Sequence, residues 1–242
     1  MSGHSKWSQI KHKKAITDAK RGKIFSKLVR DITIASKIGG NNPDTNIRLR
    51  AAIDRARNMG VLKDNIERAI NKGWGNTHNI EFKEFLYEAT GPGGIAILIE
   101  GMSGNTNRSI NEIKHLLNLH DGRIVNPGSL LWNFQKIGVL EVNKKEKFPV
   151  FNNDAELAFI ETGAFDFFST DNMWVVETTF IDRERVRKYL EQKGVLVMTS
   201  GHDFKPINTI TLDPQTAVAA ESLLDALIEH EDVQEVYTNI RE

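Results

Sequence analysis

The segment Phe82-Lys-Glu-Phe-Leu-Tyr-Glu-Ala-Thr-Gly-Pro-Gly-Gly-Ile-Ala-Ile-Leu-Ile-Glu-Gly-Met102 is where the spacing of apolar residues changes from a helical to an extended pattern. Phe82–Ala89 and Ile95–Met102 are short runs rich in aromatic and aliphatic residues, which favours two strands. Gly91-Pro-Gly-Gly94 predicts the turn between them. It lacks the Lys-Ser/Thr of a phosphate-binding Walker loop and joins two strands, so we interpret it as structural.

The residues before this hairpin have helical spacing. Apolar residues recur every three or four positions up to Ile38, and Gly39-Gly40 predicts the end of a first helix. A second helix is predicted from Asn42-Pro43-Asp44 to Gly60, and a third follows an N-cap at Asp64 and ends before Gly73. Three helices with short links predict a small bundle, and a linker is predicted to begin at Gly73. The residues predicted to face the core of the bundle are Ile24, Phe25, Leu28, Val29, Ile32, Ala35, Ile38, Ile47, Ala51, Ala52, Ala56, Met59, Ile66, Ala69 and Ile70.

The residues after the hairpin alternate between strand and helix patterns. The order from residue 130 to about 203 approximates the βαββαβ order of a ferredoxin-like unit. The ββα before it and the βαβ after it are each too small to bury a core alone, so we expect them to form one unit around it. The predicted elements are a helix at 109–119, a hairpin of 130–135 and 139–142, a helix at 154–162, strands at 165–168 and 173–179, a helix from Asp182 to Lys193, strands at 195–199 and 207–212, a helix from Asp213-Pro214 to His230 and a strand over Val233–Thr238.

The predicted fold class is therefore α+β and multidomain. An N-terminal three-helix bundle precedes two ferredoxin-like α/β domains, one of which is inserted in the other. The predicted domains are a basic arm with the helical domain (1–78), a discontinuous α/β domain (79–129 and 205–242) and an inserted α/β domain (130–204).

The charge of the chain is divided between its parts. Residues 1–78 contain 17 Lys and Arg against 6 Asp and Glu, a net charge of +11, whereas residues 79–242 contain 15 against 26, a net charge of −11. The total is therefore 0, although the first part is strongly basic. A basic segment on an otherwise neutral chain indicates a polyanionic partner, and nucleic acid is the polyanion we expect.

The first thirty residues carry the densest charge. Lysine and arginine contact phosphates, whereas Trp7 or His12 can stack on a base or sugar. A disordered solubilising terminus is the alternative, but Trp7 and Ile10 do not suit one. Phosphate contacts position a protein without reading sequence, so this basic arm (residues 4–30) predicts affinity and no specificity. The arm residues predicted to bind nucleic acid are Lys6, Trp7, Lys11, His12, Lys13, Lys14, Lys20, Arg21, Lys23, Lys27 and Arg30.

A second predicted contact lies in Asn105-Thr-Asn-Arg-Ser109, between a strand and a helix. Asn107 or Ser109 can cap the helix, and that role alone would explain the segment. Arg108 beside the helix-terminal N–H groups could in addition bind an RNA phosphate or a protein carboxylate. The third helix, near 64–72, offers Asn65, Arg68, Asn71 and Lys72, which could read bases or face solvent.

Several classes of protein are disfavoured. The chain has no cysteine, which excludes disulfides and thiolate metal sites, and its seven histidines show no HExxH pattern. We therefore predict no catalytic residue, no metal, no cofactor and no small-molecule substrate. The longest aliphatic run, Ile95–Ile99, is far shorter than the roughly 20 residues that span a bilayer. We predict a cytoplasmic protein that does not contact membranes.

Motifs throughout the chain resemble one known family. They are Gly3-His-Ser-Lys-Trp7, Ile10-Lys-His12, Asp18-Ala-Lys-Arg-Gly-Lys-Ile-Phe25, Asn46 through Leu49-Arg-Ala-Ala52, Lys63-Asp-Asn-Ile-Glu-Arg-Ala-Ile70, Tyr87-Glu88, Gly91-Pro-Gly-Gly94, Asn107-Arg108, Gly128-Ser129 and Phe134. This set strongly resembles the YebC/PmpR family, and the N-terminal motif is highly specific. Where that family tends to have Asp-Asn-x-Asn-Arg-Thr, this chain has Gly104-Asn-Thr-Asn-Arg-Ser109, and Leu62 replaces the proline before the third helix.

The resemblance implies a helical N-terminal domain and two α/β domains. It also implies a probable transcriptional regulator that binds DNA. The family is similar to the mitochondrial translational activator of cytochrome oxidase and is linked to stalled ribosomes, so a translation factor bound to ribosomal or transfer RNA is the alternative. In a third interpretation the acidic α/β part is a protein-interaction module that the basic arm only assists.

Overall fold

The computed structural model describes residues 18–75, 82–143, 162–169 and 173–241. The described helices are α1 (Asp18–Gly39), α2 (Ile47–Asn58), α3 (Lys63–Gly75), α4 (Thr106–Leu119), α5 (Arg183–Gln192) and α6 (Pro214–Glu229). The described strands are β1 (Lys83–Thr90), β2 (Ala96–Ser103), β3 (Arg123–Ile124), β4 (Phe134–Asn143), β5 (Ala164–Ser169), β6 (Met173–Thr179), β7 (Val197–Pro206) and β8 (Val233–Thr238). Short 3-10 turns occupy Pro92–Gly94 and Leu131–Asn133.

Helices α1, α2 and α3 form the predicted bundle. Leu28 and Ile32 of α1 are buried with Leu49 and Ile53 of α2. Helix α3 crosses α1 so closely at Gly73 that a Cβ there would lie 2.2 Å from the Thr33 carbonyl oxygen. Glycine is therefore required at this crossing, because any side chain would push the two helices apart.

The first sheet has the strand order β3-β1-β2-β8. Strands β1 and β2 pair antiparallel from Lys83 opposite Ser103 to Thr90 opposite Ala96, and β8 pairs antiparallel with the other edge of β2. One hydrophobic core contains side chains of this sheet, of α4 and α6, and of the three-helix bundle. The bundle and the first sheet are thus packed against each other.

The second sheet has the strand order β5-β6-β4-β7. It has its own smaller core, which includes Leu140, Val176, Val186 and Leu190. The chain separates into two compact units, one comprising Lys136–Phe204 and the other comprising the residues up to Gln135 and from Lys205 onward. The fold class predicted from the sequence is confirmed.

Two strand predictions were wrong in detail. The hairpin predicted at 130–135 and 139–142 is instead a 3-10 turn followed by one continuous strand, β4. Gly138, between the two predicted strands, lies within β4, where a Cβ would meet Thr178 Oγ1 at 2.6 Å and Arg183 Cβ at 2.7 Å. The strand predicted at 195–199 is β7, which runs from Val197 to Pro206, and residues 207–212 form no strand, since Ile210 contributes only a single bridge to Ile240.

Several predicted helix boundaries were also wrong. Asn46, and not Asn42-Pro43-Asp44, begins α2: its side chain accepts a hydrogen bond from the Leu49 amide at 3.0 Å. Asp64 lies inside the first turn of α3, and that helix continues into the predicted linker as far as Gly75. Ile38 and Ile47, predicted to face the core, are 50% and 55% exposed. The helix predicted at 154–162 falls outside the described residues except for its last residue.

Candidate nucleic-acid interface

Most of the predicted basic arm lies outside the described residues. This applies to Lys6, Trp7, Lys11, His12, Lys13 and Lys14. The backbones of Lys20, Arg21 and Lys23 belong to α1, which places these residues within the first turns of the helix. Of the arm, the structure therefore describes the side-chain contacts of Lys27 and Arg30.

Lys27 points into the protein. Its ammonium group donates a hydrogen bond to the Ile228 carbonyl oxygen at 2.9 Å, near the C-terminal end of α6. A positive charge is favourable there because the last carbonyl groups of a helix are not paired within it. Burial lowers the pKa of Lys27 to about 8, although the carboxylates of Asp31 and Glu235 act in the opposite direction. Lys27 thus serves the packing of α1 on α6.

Arg30, one helical turn further along, binds the segment before β8. Its Nη2 donates to Asp232 Oδ1 at 2.5 Å, and its Nη1 donates to the Glu231 carbonyl oxygen at 2.5 Å. The Asp232 side chain is fully buried and that of Arg30 is largely so. This charge-assisted contact fixes α1 against the end of the α/β part.

Arg108 reaches the same carboxylate from the opposite side. Its Nη2 donates to Asp232 Oδ2 at 3.0 Å and to Glu231 Oε1 at 2.8 Å. The hydrogen bond and the charge of Asp232 raise the pKa of Arg108. Of the two partners expected for Arg108, a phosphate or a protein carboxylate, the described contacts are with carboxylates of this chain.

Two hydroxyl groups complete the arrangement. Ser109 Oγ donates to Asp232 Oδ2 at 2.6 Å, and Ser103 Oγ donates to the same atom at 3.0 Å. Burial alone would raise the pKa of Asp232, but the hydrogen bonds from Ser109, Arg30 and Arg108 lower it to about 2. We call Arg30, Ser103, Arg108, Ser109 and Asp232 the Asp232 cluster. Sequence reasoning missed Asp232, since an acid in the turn before a strand carries no local signal.

Other cations of the bundle also have partners within the chain. Arg55 Nη1 lies 3.3 Å from Glu235 Oε1 of β8, and Arg48 pairs with Glu84 of β1. On α3, Arg68 donates to the Asn65 side chain and to the Asp64 carbonyl oxygen. A base-reading role for this helix would have to break the Arg68 contacts. Lys72 and the 61% exposed Trp74 face solvent at its end.

Glu88 organises a surface loop that sequence reasoning treated only as a matching motif. Its Oε1 accepts a hydrogen bond from the Gly128 amide, and its Oε2 accepts two, from the Leu130 and Leu131 amides at 2.6 and 2.9 Å. The loop ends at Trp132, which is 66% exposed and donates its indole N–H to the Ser129 carbonyl oxygen. A buried carboxylate thus holds the loop that presents an exposed tryptophan.

The described part of the chain contains no group of His, Asp and Glu side chains that could hold a metal ion. None of its described helices combines the length and the apolar character that crossing a bilayer requires.

The protein thus has a helical bundle and two α/β units. In the sequence, a basic segment precedes the first helix of the bundle. The family model of the TACO1/YebC N-terminal domain matches residues 5–76, and that of the TACO1/YebC second and third domain matches residues 82–240. The chain belongs to the TACO1/YebC family, as its sequence motifs indicated.

Its relatives match over nearly their full lengths. A protein of Desulfosudis oleivorans is 43% identical over 99% of this chain and 96% of its own. One of Nitratiruptor is 42% identical over all of both chains. Each is named a probable transcriptional regulatory protein. The crystal structure of a conserved hypothetical protein from Aquifex aeolicus has a TM-score of 0.78 and 38% identity, and covers 97% of this chain and 96% of its own.

Proposed function

We propose that this protein is a DNA-binding transcriptional regulator that holds phosphates with its basic N-terminal arm. The observation that carries the proposal is the charge division, a net +11 in residues 1–78 against −11 in the remainder. A positive segment of this density attracts a polyanion, whereas the acidic remainder disfavours wrapping nucleic acid around the whole surface. The regulatory names of the relatives support the same assignment.

The contacts of the bundle support different roles for the residues of the basic segment. Lys27 and Arg30 donate to carbonyl and carboxylate oxygens of this chain, and these contacts compete with phosphate binding. The arm residues before them therefore supply the phosphate contacts in this proposal. In this proposal residues 1–78 are the nucleic-acid-binding domain, followed by a discontinuous α/β domain (79–129 and 205–242) and an inserted α/β domain (130–204).

The protein acts by binding and not by catalysis in this proposal. Its partner is nucleic acid in the cytoplasm, and binding requires no cofactor, metal or small-molecule substrate. Phosphate contacts carry no sequence information, so target choice needs a further contact or a particular shape of the nucleic acid.

The test is ultraviolet crosslinking of the intact protein in cells, followed by sequencing of the attached nucleic acid. We expect crosslinks at discrete promoter DNA sites, and the crosslinked peptides should map to the N-terminal arm. Crosslinks concentrated in ribosomal or transfer RNA would overturn the transcriptional assignment and make the protein a translation factor. Recovery of protein partners alone, without nucleic acid, would make it an interaction module.

A further inference from the structure

A partly exposed aromatic ring on the inserted α/β unit lies close to two cations. Phe180, just after β6, is 41% exposed. The Lys136 ammonium nitrogen lies 4.4 Å from the centre of its ring, and the Arg183 guanidinium carbon lies 5.4 Å from it. We call Phe180, Lys136 and Arg183 the Phe180 site.

The two acids that flank Arg183 in the sequence pair with other residues. Asp182 pairs with Arg185 at 3.0 Å, and Glu184 pairs with Arg187 at 3.0 Å. Among the described residues, neither Lys136 nor Arg183 takes part in an ion pair, and the buried Arg183 Nε has no hydrogen-bond acceptor. The site therefore carries two uncompensated positive charges on a chain whose second part is acidic overall.

The Phe180 ring is supported on one side by other aromatic rings, and the Arg183 stem is held in place by packing. His202 contacts the edge of Phe180, with ring centres 6.0 Å apart, and the buried Phe204 in turn packs against His202 at 5.8 Å. Gly138 lies beside the Arg183 side chain, where any Cβ would overlap Arg183 Cβ. The aliphatic part of the Arg183 side chain thus packs on the β4 backbone at Gly138, where only glycine leaves room for it.

We propose that the Phe180 site binds a single-stranded segment of nucleic acid, with an unpaired base on Phe180 and its flanking phosphates on Lys136 and Arg183. This inference rests on the proposed nucleic-acid function and adds a contact distant in sequence from the arm. An aromatic ring flanked by cations is the combination that binds single strands, because every base can stack and every phosphate is negative. A cation over an exposed ring is a weak contact, so the flexible, exposed Lys136 can leave the ring for a phosphate as the base arrives.

The charge of the site decides between partners. An apolar protein surface would not benefit from two uncompensated cations, and an acidic peptide would not use the exposed ring. A nucleic-acid strand uses both. A base and its phosphates occur in RNA and in DNA alike, so the test compares single strands of both.

The test measures binding of the full chain to fluorescent 12-nucleotide single strands of RNA and of DNA, and to a 20-base-pair DNA duplex, by anisotropy at fixed salt. Phe180→Leu keeps an apolar side chain but removes the ring, and we expect single-strand binding to weaken about 5- to 100-fold. Duplex binding, which depends on the arm, should stay unchanged. Lys136→Ala should weaken single-strand binding and lower its salt dependence.

Matched controls lie on the same unit. Phe165→Leu removes another exposed ring, and Lys188→Ala removes another exposed lysine, here on α5. Both should bind single strands as the unchanged protein does, and the melting temperatures of all variants should be compared first. The preferred strand, RNA or DNA, identifies the source.

Equal single-strand binding by Phe180→Leu and the unchanged protein would overturn this inference and leave the proposed function standing. If the unchanged protein binds the duplex but no single strand, this inference is likewise overturned and the proposed function stands. Absence of all nucleic-acid binding by the unchanged protein would overturn both proposals.

Discussion

The Arg30 guanidinium lies 2.5 Å from the Asp232 carboxylate, and the two residues are 202 positions apart in the sequence. Arg30 belongs to the first described helix, whereas Asp232 lies in the turn before the last strand. Arg108 binds the second oxygen of the same carboxylate, so three distant segments meet at one buried negative charge. The cluster thereby fastens the helical bundle to the first α/β sheet and uses two of the cations that the sequence assigned to nucleic acid.

Replacing Asp232 by Asn should destabilise the protein. The substitution keeps the shape but leaves Arg30 and Arg108 without their shared negative charge, so we expect the free energy of unfolding to fall by about 2–4 kcal/mol. Urea denaturation followed by circular dichroism measures it. Glu231→Gln is the control, since its side chain is mostly exposed and such surface pairs contribute about 1 kcal/mol or less. Equal effects of the two substitutions would contradict the central role of Asp232.

The same carboxylate should make stability depend on acid pH. The pKa of Asp232 falls from an ordinary 3.8 to about 2 in the folded protein. A carboxyl group whose folded pKa is depressed stabilises the fold above its unfolded pKa, and that stability is lost as the pH falls from about 4 to about 2. The contribution is about 2 kcal/mol. Unfolding free energies at pH 5 and at pH 2.5 should differ less in Asp232→Asn than in the unchanged protein.

Lys27 should make stability depend on pH in the alkaline range. Burial lowers its folded pKa from 10.5 to about 8, so between these values the unfolded chain binds the proton and the folded one does not. The protein should therefore gain stability as the pH rises through that window. Lys27→Met keeps the stem and removes the charge, so its unfolding free energy should lack this gain between pH 7.5 and 10. Its affinity for nucleic acid should stay within about twofold of that of the unchanged protein, because the Lys27 ammonium group already binds the Ile228 carbonyl oxygen. A large decrease would show that Lys27 contacts nucleic acid.

Replacing Lys11, Lys13 and Lys14 by Ala should weaken nucleic-acid binding uniformly across sequences. Removing one phosphate contact should reduce the slope of log K against log salt by about 0.9 on duplex DNA and about 0.7 on single strands. Anisotropy titrations at several salt concentrations measure that slope. The matched control removes three lysines elsewhere, Lys144, Lys145 and Lys147. An unchanged salt slope in the arm variant would overturn the role of the arm.

Trp7→Ala separates stacking from packing. If Trp7 stacks on a base, the substitution should cost about 1–3 kcal/mol of binding free energy. If binding is unchanged while the melting temperature falls, Trp7 is instead part of a core.

Glu88→Gln should loosen the loop that presents Trp132. The Glu88 carboxylate accepts hydrogen bonds from three backbone N–H groups. In Gln an NH₂ group replaces one of the two oxygens, so two donors would face each other and at least one hydrogen bond would be lost. We expect the free energy of unfolding to fall by about 1–3 kcal/mol and amide hydrogen exchange over residues 126–132 to become faster. Glu67→Gln on the exposed face of α3 is the control, and unchanged exchange in Glu88→Gln would show that the loop does not depend on this carboxylate.

Local patterns predicted much of the fold. Val233–Thr238 and Met173–Thr179 are strands with the predicted bounds, and Asp213-Pro214 begins α6 as expected, with Asp213 accepting hydrogen bonds from the first turn. These features depend on residues close together in the chain, so they can be predicted from the sequence. The break predicted between residues 135 and 139 was wrong: Gly138 lies inside β4, where its small size leaves room for Thr178 and Arg183.

The sequence by itself determined most of the helices and strands, the family and the division of charge, because composition, capping and apolar spacing are local properties of the chain. Only the tertiary structure decided which of the cations are already bound. Lys27 faces Ile228, and Arg30 and Arg108 face Asp232, since folding brings together groups that lie more than a hundred positions apart. The physical reason is that a charge acts on whatever lies within a few ångströms of it, and neighbours in space are set by packing.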